Sequence, residues 1–154
     1  MGGKIQDIST MQDVLHESMT GLWFIEIEEG CKSRMFADET MLDLLGLTEE
    51  ASPEECYAHW YRNIDNEYYR VVNSCVDNMI KLGRAEVQYP WKHPVLGRIY
   101  VRCGGVAERV GDKVLRLRGY HQNVTDTIVM RREKEKLEEL NEEIVGSLHN
   151  LFFA

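Results

Sequence analysis

Apolar residues recur at helical spacing at Ile8, Met11, Leu15 and Met19, which predicts an amphipathic helix over about residues 7–20, stopped by Gly21. At Leu22 the period drops to two. Trp23, Ile25 and Ile27 alternate with Glu26 and Glu28, the pattern of a half-buried strand. Glu29-Gly30 turns the chain, and residues 33–36 read as a second, short strand. The middle of the chain is helical. Asp38 is placed to cap a short helix carrying Met41, Leu42 and Leu45, closed by Gly46. Ser52-Pro53-Glu54-Glu55 combines a capping serine, a proline at the first helical position and a glutamate at the third, so another helix starts there. Asp65 or Asn66 caps a longer one, lined by Tyr68, Val72, Cys75, Met79 and Leu82 and ended by Gly83.

Beyond Gly83 the period is twofold again. Ala85, Val87, Tyr89 and Trp91 alternate with Glu86, Gln88 and Lys92, and Pro94 and Gly97 mark a turn. Ile99, Val101 and Cys103 alternate with Arg98, Tyr100 and Arg102, and Gly111-Asp112 separates two further strand-like runs. Strands joined by such short turns are antiparallel, because parallel neighbours need crossovers of about a dozen residues. Helix, two strands, short helices, three strands and a final helix make an α+β chain with its helices over one sheet face.

With 154 residues, 44% hydrophobic and 29% charged, the chain can build one domain core. Its net charge of -8 argues against nucleic acid or an anionic membrane as partner, since both select a basic face. No apolar run reaches the roughly 18 residues of a membrane span. The first ten residues hold Lys4 and Asp7 and lack a signal peptide's apolar core, so a cytoplasmic location is expected. Cys31, Cys56, Cys75 and Cys103 are widely spaced, and reduced thiols are the default. No metal-ligand spacing, nucleophile elbow or phosphate-cradling loop occurs, so the chain reads as non-catalytic.

The stretch GRAEVQYPWKHPVLGRIYVRCGGVAERVGDKVLRLRGYHQNVTDT resembles the C-terminal half of PAS domains of bacterial sensors. It has the aromatic-rich strand, the Gly-Arg turn, the aromatic at Tyr100, the hairpin, and a hydrophobic strand containing Gly119. It closes on Asn123-Val124-Thr125-Asp126, where the family shows an Asp-Ile-Thr-like signature; Asn123 replaces the usual aspartate and puts its salt bridge in doubt. Gly21-Leu22-Trp23-Phe24 and the Ser52-Pro53 helix start also agree, and the resemblance covers about residues 10–127.

The resemblance implies a five-stranded antiparallel sheet cupped by helices on one face around a ligand pocket, and a role in sensing or dimerisation. Candidate pocket residues are Trp23, Ile25, Met41, Leu45, Cys56, His59, Trp60, Tyr89, Trp91 and Tyr100. The aromatic members read equally as core filling. No cofactor is assigned. The flavin-adduct motif of PAS relatives is absent around Cys56, and haem would need an axial histidine, for which His59 is the one candidate. Arg98, Arg102, Arg116 and Arg118 read as a solvated outer face paired with Glu86 and Glu108 rather than as an anion site. His121, at the end of the last strand, could face either way.

Residues 1–20 are thus read as a flanking helix, 21–126 as the PAS unit and 127–151 as an amphipathic output helix. Met130, Leu137, Leu140 and Ile144 take heptad a/d positions, interrupted by Glu133, and the stripe shifts to Leu148 and Leu151. That helix either rests on its own domain or pairs with a second copy. Asn123, Thr125, Asp126, Leu137, Leu140 and Ile144 would carry the signal. Residues 148–154 resemble 19–25, so 152–154 are expected to open a strand of a following domain. Expected partners are a second copy through the flanking helices, a small molecule, and an output domain in the parent chain, a diguanylate cyclase first and a histidine kinase next. The alternative is a ligand-free dimerising spacer.

Overall fold

A computed structural model describes residues 2–153. Five antiparallel strands form one sheet in the order β2-β1-β5-β4-β3. They are β1 (Thr20–Glu28), β2 (Arg34–Ala37), β3 (Arg84–His93), β4 (Gly97–Arg109) and β5 (Val114–Asn123). Helices α2 (Glu39–Leu45), α3 (Pro53–Arg62) and α4 (Tyr69–Leu82) cover one face, with α1 (Ile8–Glu17) before the sheet and α5 (Thr125–Phe153) after it. The chain divides into two units, one ending at Asn123 and one beginning at Val124. The α+β class, the five antiparallel strands and both flanking helices are those read from the sequence.

The local signals act where the spacing places them. The Asp38 carboxylate accepts from the Met41 N–H at 2.8 Å and caps α2. Gly46 ends α2 at φ 71°, in the left-handed region where glycine avoids a Cβ clash. Ser52 caps α3 by accepting from the Glu55 N–H at 3.2 Å. Three boundaries differ from expectation. Helix α1 stops at Glu17 rather than at Gly21, because Met19 takes φ 57° and Thr20 already pairs with Gln122 in the sheet. Gly21 instead lies within β1, and a Cβ there would come 2.5 Å from the Cα of Met41; its small size lets α2 approach the strand. Residues Asn66–Tyr68 form a 3-10 turn ahead of α4, with no side-chain cap.

At the other end α5 runs through Phe153, so Phe152 and Phe153 are helical where a strand was expected, and Ala154 lies outside the described residues. A helix satisfies its backbone within itself, whereas a strand needs a neighbour. Among the described residues, no helix is long and apolar enough to cross a membrane.

The core lies between the sheet and α2–α4. Trp23, Ile25, Tyr89, Trp91, Ile99, Val101, Cys103 and Leu117 point inward from the strands, to meet Met41, Leu45, Cys56, Trp60, Val72, Cys75 and Met79 from the helices. The alternation seen along β1, β3 and β4 in sequence is this inward–outward pleat.

Candidate functional site

The candidate pocket residues separate into three groups. Trp23, Ile25 and Trp60 line an internal cavity, completed by Cys75, Met79 and Cys103 among others. Met41, Leu45, Cys56, Tyr89 and Trp91 are buried in the same core without lining it. His59 and Tyr100 stand apart. Tyr100 is on the outer sheet face, where the Arg98 guanidinium lies 5.5 Å from its ring centre. Pleat parity explains this, since Ile99 and Val101 on either side point inward. His59 is half-buried and uses both ring nitrogens: Nε2–H donates to the Leu45 carbonyl at 2.8 Å, and Nδ1 accepts from the Asn63 amide at 3.3 Å. Its geometry serves to tie α3 to α2, not to present a free axial ligand.

The internal cavity measures ≈ 10 Å³. That is about the space one water molecule needs. The side chains therefore fill their own interior.

A chain of polar atoms runs through this apolar interior. Trp60 Nε1–H donates to the Tyr89 hydroxyl oxygen at 2.8 Å, and the Tyr89 O–H donates to His121 Nε2 at 2.5 Å. Three elements, α3, β3 and β5, are joined by it. Tyr89 and His121 are each only 1% exposed. Desolvation lowers the His121 pKa from 6.5 to about 3, so the ring is neutral. Because the Tyr89 oxygen already accepts from Trp60, its O–H is satisfied only by donating to Nε2, which assigns the ring proton to Nδ1. Desolvation, and secondly the nearby Cys103, push the Tyr89 phenol well above its ordinary value. The chain ends on an unanswered donor, for His121 Nδ1 has no partner, and neither does Trp23 Nε1, whose ring centre is 5.8 Å from that of His121. The sequence carried a signal for His121: it shares parity with Leu115 and Leu117 along β5, and these face the core.

Tyr89→Phe is expected to destabilise the domain by about 2–3 kcal/mol, because it leaves both the Trp60 donor and the His121 acceptor buried without partners. Urea unfolding followed by tryptophan fluorescence measures the loss; a change under 0.5 kcal/mol would count against the chain.

All four cysteines are free thiols, Cys31 exposed and the others buried. Burial pushes the Cys56, Cys75 and Cys103 thiols up, which keeps them protonated and unreactive. The residues expected to carry a signal lie as follows: Asn123 ends β5, Thr125 and Asp126 open α5, and Leu137, Leu140 and Ile144 lie exposed along α5.

The outer sheet face carries the arginines. Glu26 accepts from Arg34 at 2.8 Å and from Arg116 at 3.0 Å, and Arg116 also lies 5.1 Å from the Phe24 ring centre. Arg102 and Arg118 make looser pairs with Glu86 at 3.8 Å and Glu108 at 3.9 Å, and Arg98 reaches Asp65 at 3.7 Å.

No family model and no curated protein matches the chain. Solved structures do. A sensory box histidine kinase/response regulator from Burkholderia thailandensis E264 superposes with a TM-score of 0.61 at 17% identity, covering 87% of this chain and 96% of that one. The N-terminal domain of a diguanylate cyclase with PAS/PAC sensor from Marinobacter aquaeolei gives 0.53 at 20% identity, over 69% and 95%. A PAS domain of a protein from Colwellia psychrerythraea gives 0.57 at 9% identity, over 78% and 99%.

Proposed function

We propose that this chain, with its PAS fold, is a non-catalytic regulatory module of the cytoplasm that self-associates and passes its state through α5 to an output domain. The observation that carries this reading is α5 itself. It is 29 residues long, none of them buried, and Leu137, Leu140 and Ile144 are 67%, 52% and 50% exposed along one stripe. A single amphipathic helix of about 43 Å gains most of its stability by covering such a stripe. A second copy of the chain supplies the cover. The filled core favours a module that responds through association, in keeping with the ligand-free reading. The output domain is a diguanylate cyclase or a histidine kinase, the two kinds of parent protein named among the fold neighbours.

Sedimentation velocity tests this reading. The wild-type chain is expected to be dimeric at micromolar concentration, and Leu140→Glu with Ile144→Glu to be monomeric with an unchanged thermal midpoint for the domain. A wild-type chain that stays monomeric at hundreds of micromolar refutes it.

A small-molecule sensor is the second reading, favoured by the two unpartnered donors, Trp23 Nε1 and His121 Nδ1. Its ligand would be a hydrogen-bond acceptor, and the core would have to expand around it. Native mass spectrometry of gently purified protein distinguishes the two, by the polypeptide mass alone or by an added small mass.

A further inference from the structure

Outside the filled interior, one cleft has the size and the mixed lining of a ligand site. It measures ≈ 270 Å³, near the lower end of the roughly 300–1,000 Å³ of small-molecule pockets. Its apolar floor comes from Met19 just after α1, Leu44 of α2, Leu96 of the β3–β4 turn and Ile99 of β4. Thr40 and Asp43 join Leu44 in lining it, at the i, i+3 and i+4 spacing of one face of α2. None of its lining residues is shared with the internal cavity.

Hydrogen bonds hold the walls of this cleft in place. His93 Nδ1 accepts from the N–H groups of Val95 at 3.1 Å and Leu96 at 3.0 Å, which fixes the turn and puts the ring proton on Nε2. The turn packs on the end of α2, for a Cβ at Gly46 would lie 2.9 Å from Cγ of Pro94. At the α1 end, the Asn123 N–H donates to the Met19 carbonyl at 3.2 Å, and the Gln122 amide donates to the Ser18 carbonyl at 3.2 Å. His16 Nδ1 lies 3.2 Å from the Thr40 hydroxyl and joins α1 to α2. Met19 itself, at φ 57°, is the one non-glycine residue with positive φ among the described residues. Walls fixed in this way reduce the ordering that binding requires.

The charge of the lining selects the occupant. An adjoining cleft shares His16 and Thr40 and is lined by Asp13, Asp38 and Glu39, and no Lys or Arg lines either one. Asp38 caps α2, whereas the carboxylates of Asp13, Glu39 and Asp43 have no partner among the described residues. Uncompensated carboxylates in a chain of net charge -8 attract a cation. A bare ion would leave the apolar floor uncovered, and among the described residues no group of His, Cys, Asp or Glu is arranged to hold a metal. We infer that the cleft binds a small primary amine with an aliphatic body. Its ammonium group has three donors, for the Asp43 carboxylate and the Thr40 hydroxyl oxygen, and its methylenes cover Met19, Leu44 and Leu96. This site goes beyond self-association through α5 and does not depend on it.

Amide NMR titration of the full chain tests the assignment, with hexylamine and hexanoate as probes of equal apolar length and opposite charge at about pH 7. Hexylamine should shift the amides of Met19, Asp43 and Leu96 saturably, with a Kd on the order of 1 mM for so few atoms. Hexanoate should bind at least about tenfold more weakly, because it meets carboxylates where the amine meets partners. Asp43→Asn should weaken hexylamine about tenfold. Glu139→Gln, the same change of charge on α5, should leave its Kd within about twofold. Equal binding of the two probes, saturable shifts confined to the core amides of Trp23, Trp60 and Leu117, or no saturable shift overturns the amine site. So does an Asp43→Asn chain that binds hexylamine as the wild type does. The two probes are compared on the wild-type chain, so that result stands even if a variant misfolds. Sedimentation reads self-association separately, and the failure of one leaves the other in place.

Discussion

Gly119→Ala is expected to cost the domain about 4 kcal/mol, a large share of the roughly 5–15 kcal/mol that holds a domain folded. Gly119 sits in β5 between Trp23 of β1 and Gly105 of β4. A Cβ there would lie 2.0 Å from the Gly104 carbonyl oxygen, 2.8 Å from the Gly105 Cα and 2.9 Å from Cζ2 of Trp23. Two of these three atoms belong to the backbone of the neighbouring strand and cannot rotate aside, and the third belongs to a tryptophan only 5% exposed. The requirement is one of space, since Gly119 has no positive φ. Gly111→Ala is the control, because nothing lies within 4 Å of its added Cβ, and it should change stability by less than about 0.5 kcal/mol. Chemical denaturation monitored by circular dichroism reads both. A loss below 1 kcal/mol for Gly119→Ala would mean that the β4–β5 pairing is looser than described.

Acid should destabilise the domain with an unusual slope, and His121 should be its source. In the unfolded chain this histidine takes a proton near pH 6.5; in the folded domain desolvation holds it neutral down to about pH 3. Between those values the unfolded state binds more protons, so stability falls as pH falls, by about 1.4 kcal/mol per unit. The contribution is complete above pH 6.5 and gone near pH 3, a total on the order of 4–5 kcal/mol. His121→Gln keeps an acceptor for the Tyr89 hydroxyl but does not titrate. Its stability should therefore be nearly flat from pH 6.5 to 5, where few carboxylates have begun to protonate. Urea midpoints at half-unit intervals across that window provide the comparison, and equal slopes in both proteins would exclude His121 as the cause.

These two residues were unequally legible. In the sequence Gly119 is only a glycine shared with a family pattern; its reason, Trp23 lying across two strands, exists only once β1, β5 and β4 are side by side. His121 could have been oriented from parity with Leu117, but its partners, Tyr89 at 32 positions' distance and Trp60 beyond that, could not be read from any local pattern. Tyr100 shows the opposite case. Its flanking residues Ile99 and Val101 carry enough parity to place it outward, whereas its aromatic character alone made it a pocket candidate. The end of α1 follows the same rule: where a helix yields to a strand depends on a strand partner, as Thr20 has in Gln122.

What the amino-acid order determined alone was everything set within a few residues along the chain. The changes of period, the Asp38 and Ser52 caps and the stops at Gly46 and Gly83 were enough for the order of elements and for the PAS resemblance. Tertiary structure alone decided what fills the interior and which charges share the outer sheet face. A cavity is the small difference between the space enclosed by the sheet and three helices and the summed volumes of the side chains entering it, and no local pattern holds that difference. The charge of the outer face likewise arises from single residues on five strands, far apart in sequence and opposed to the acidity of the whole, that become neighbours only when the sheet closes.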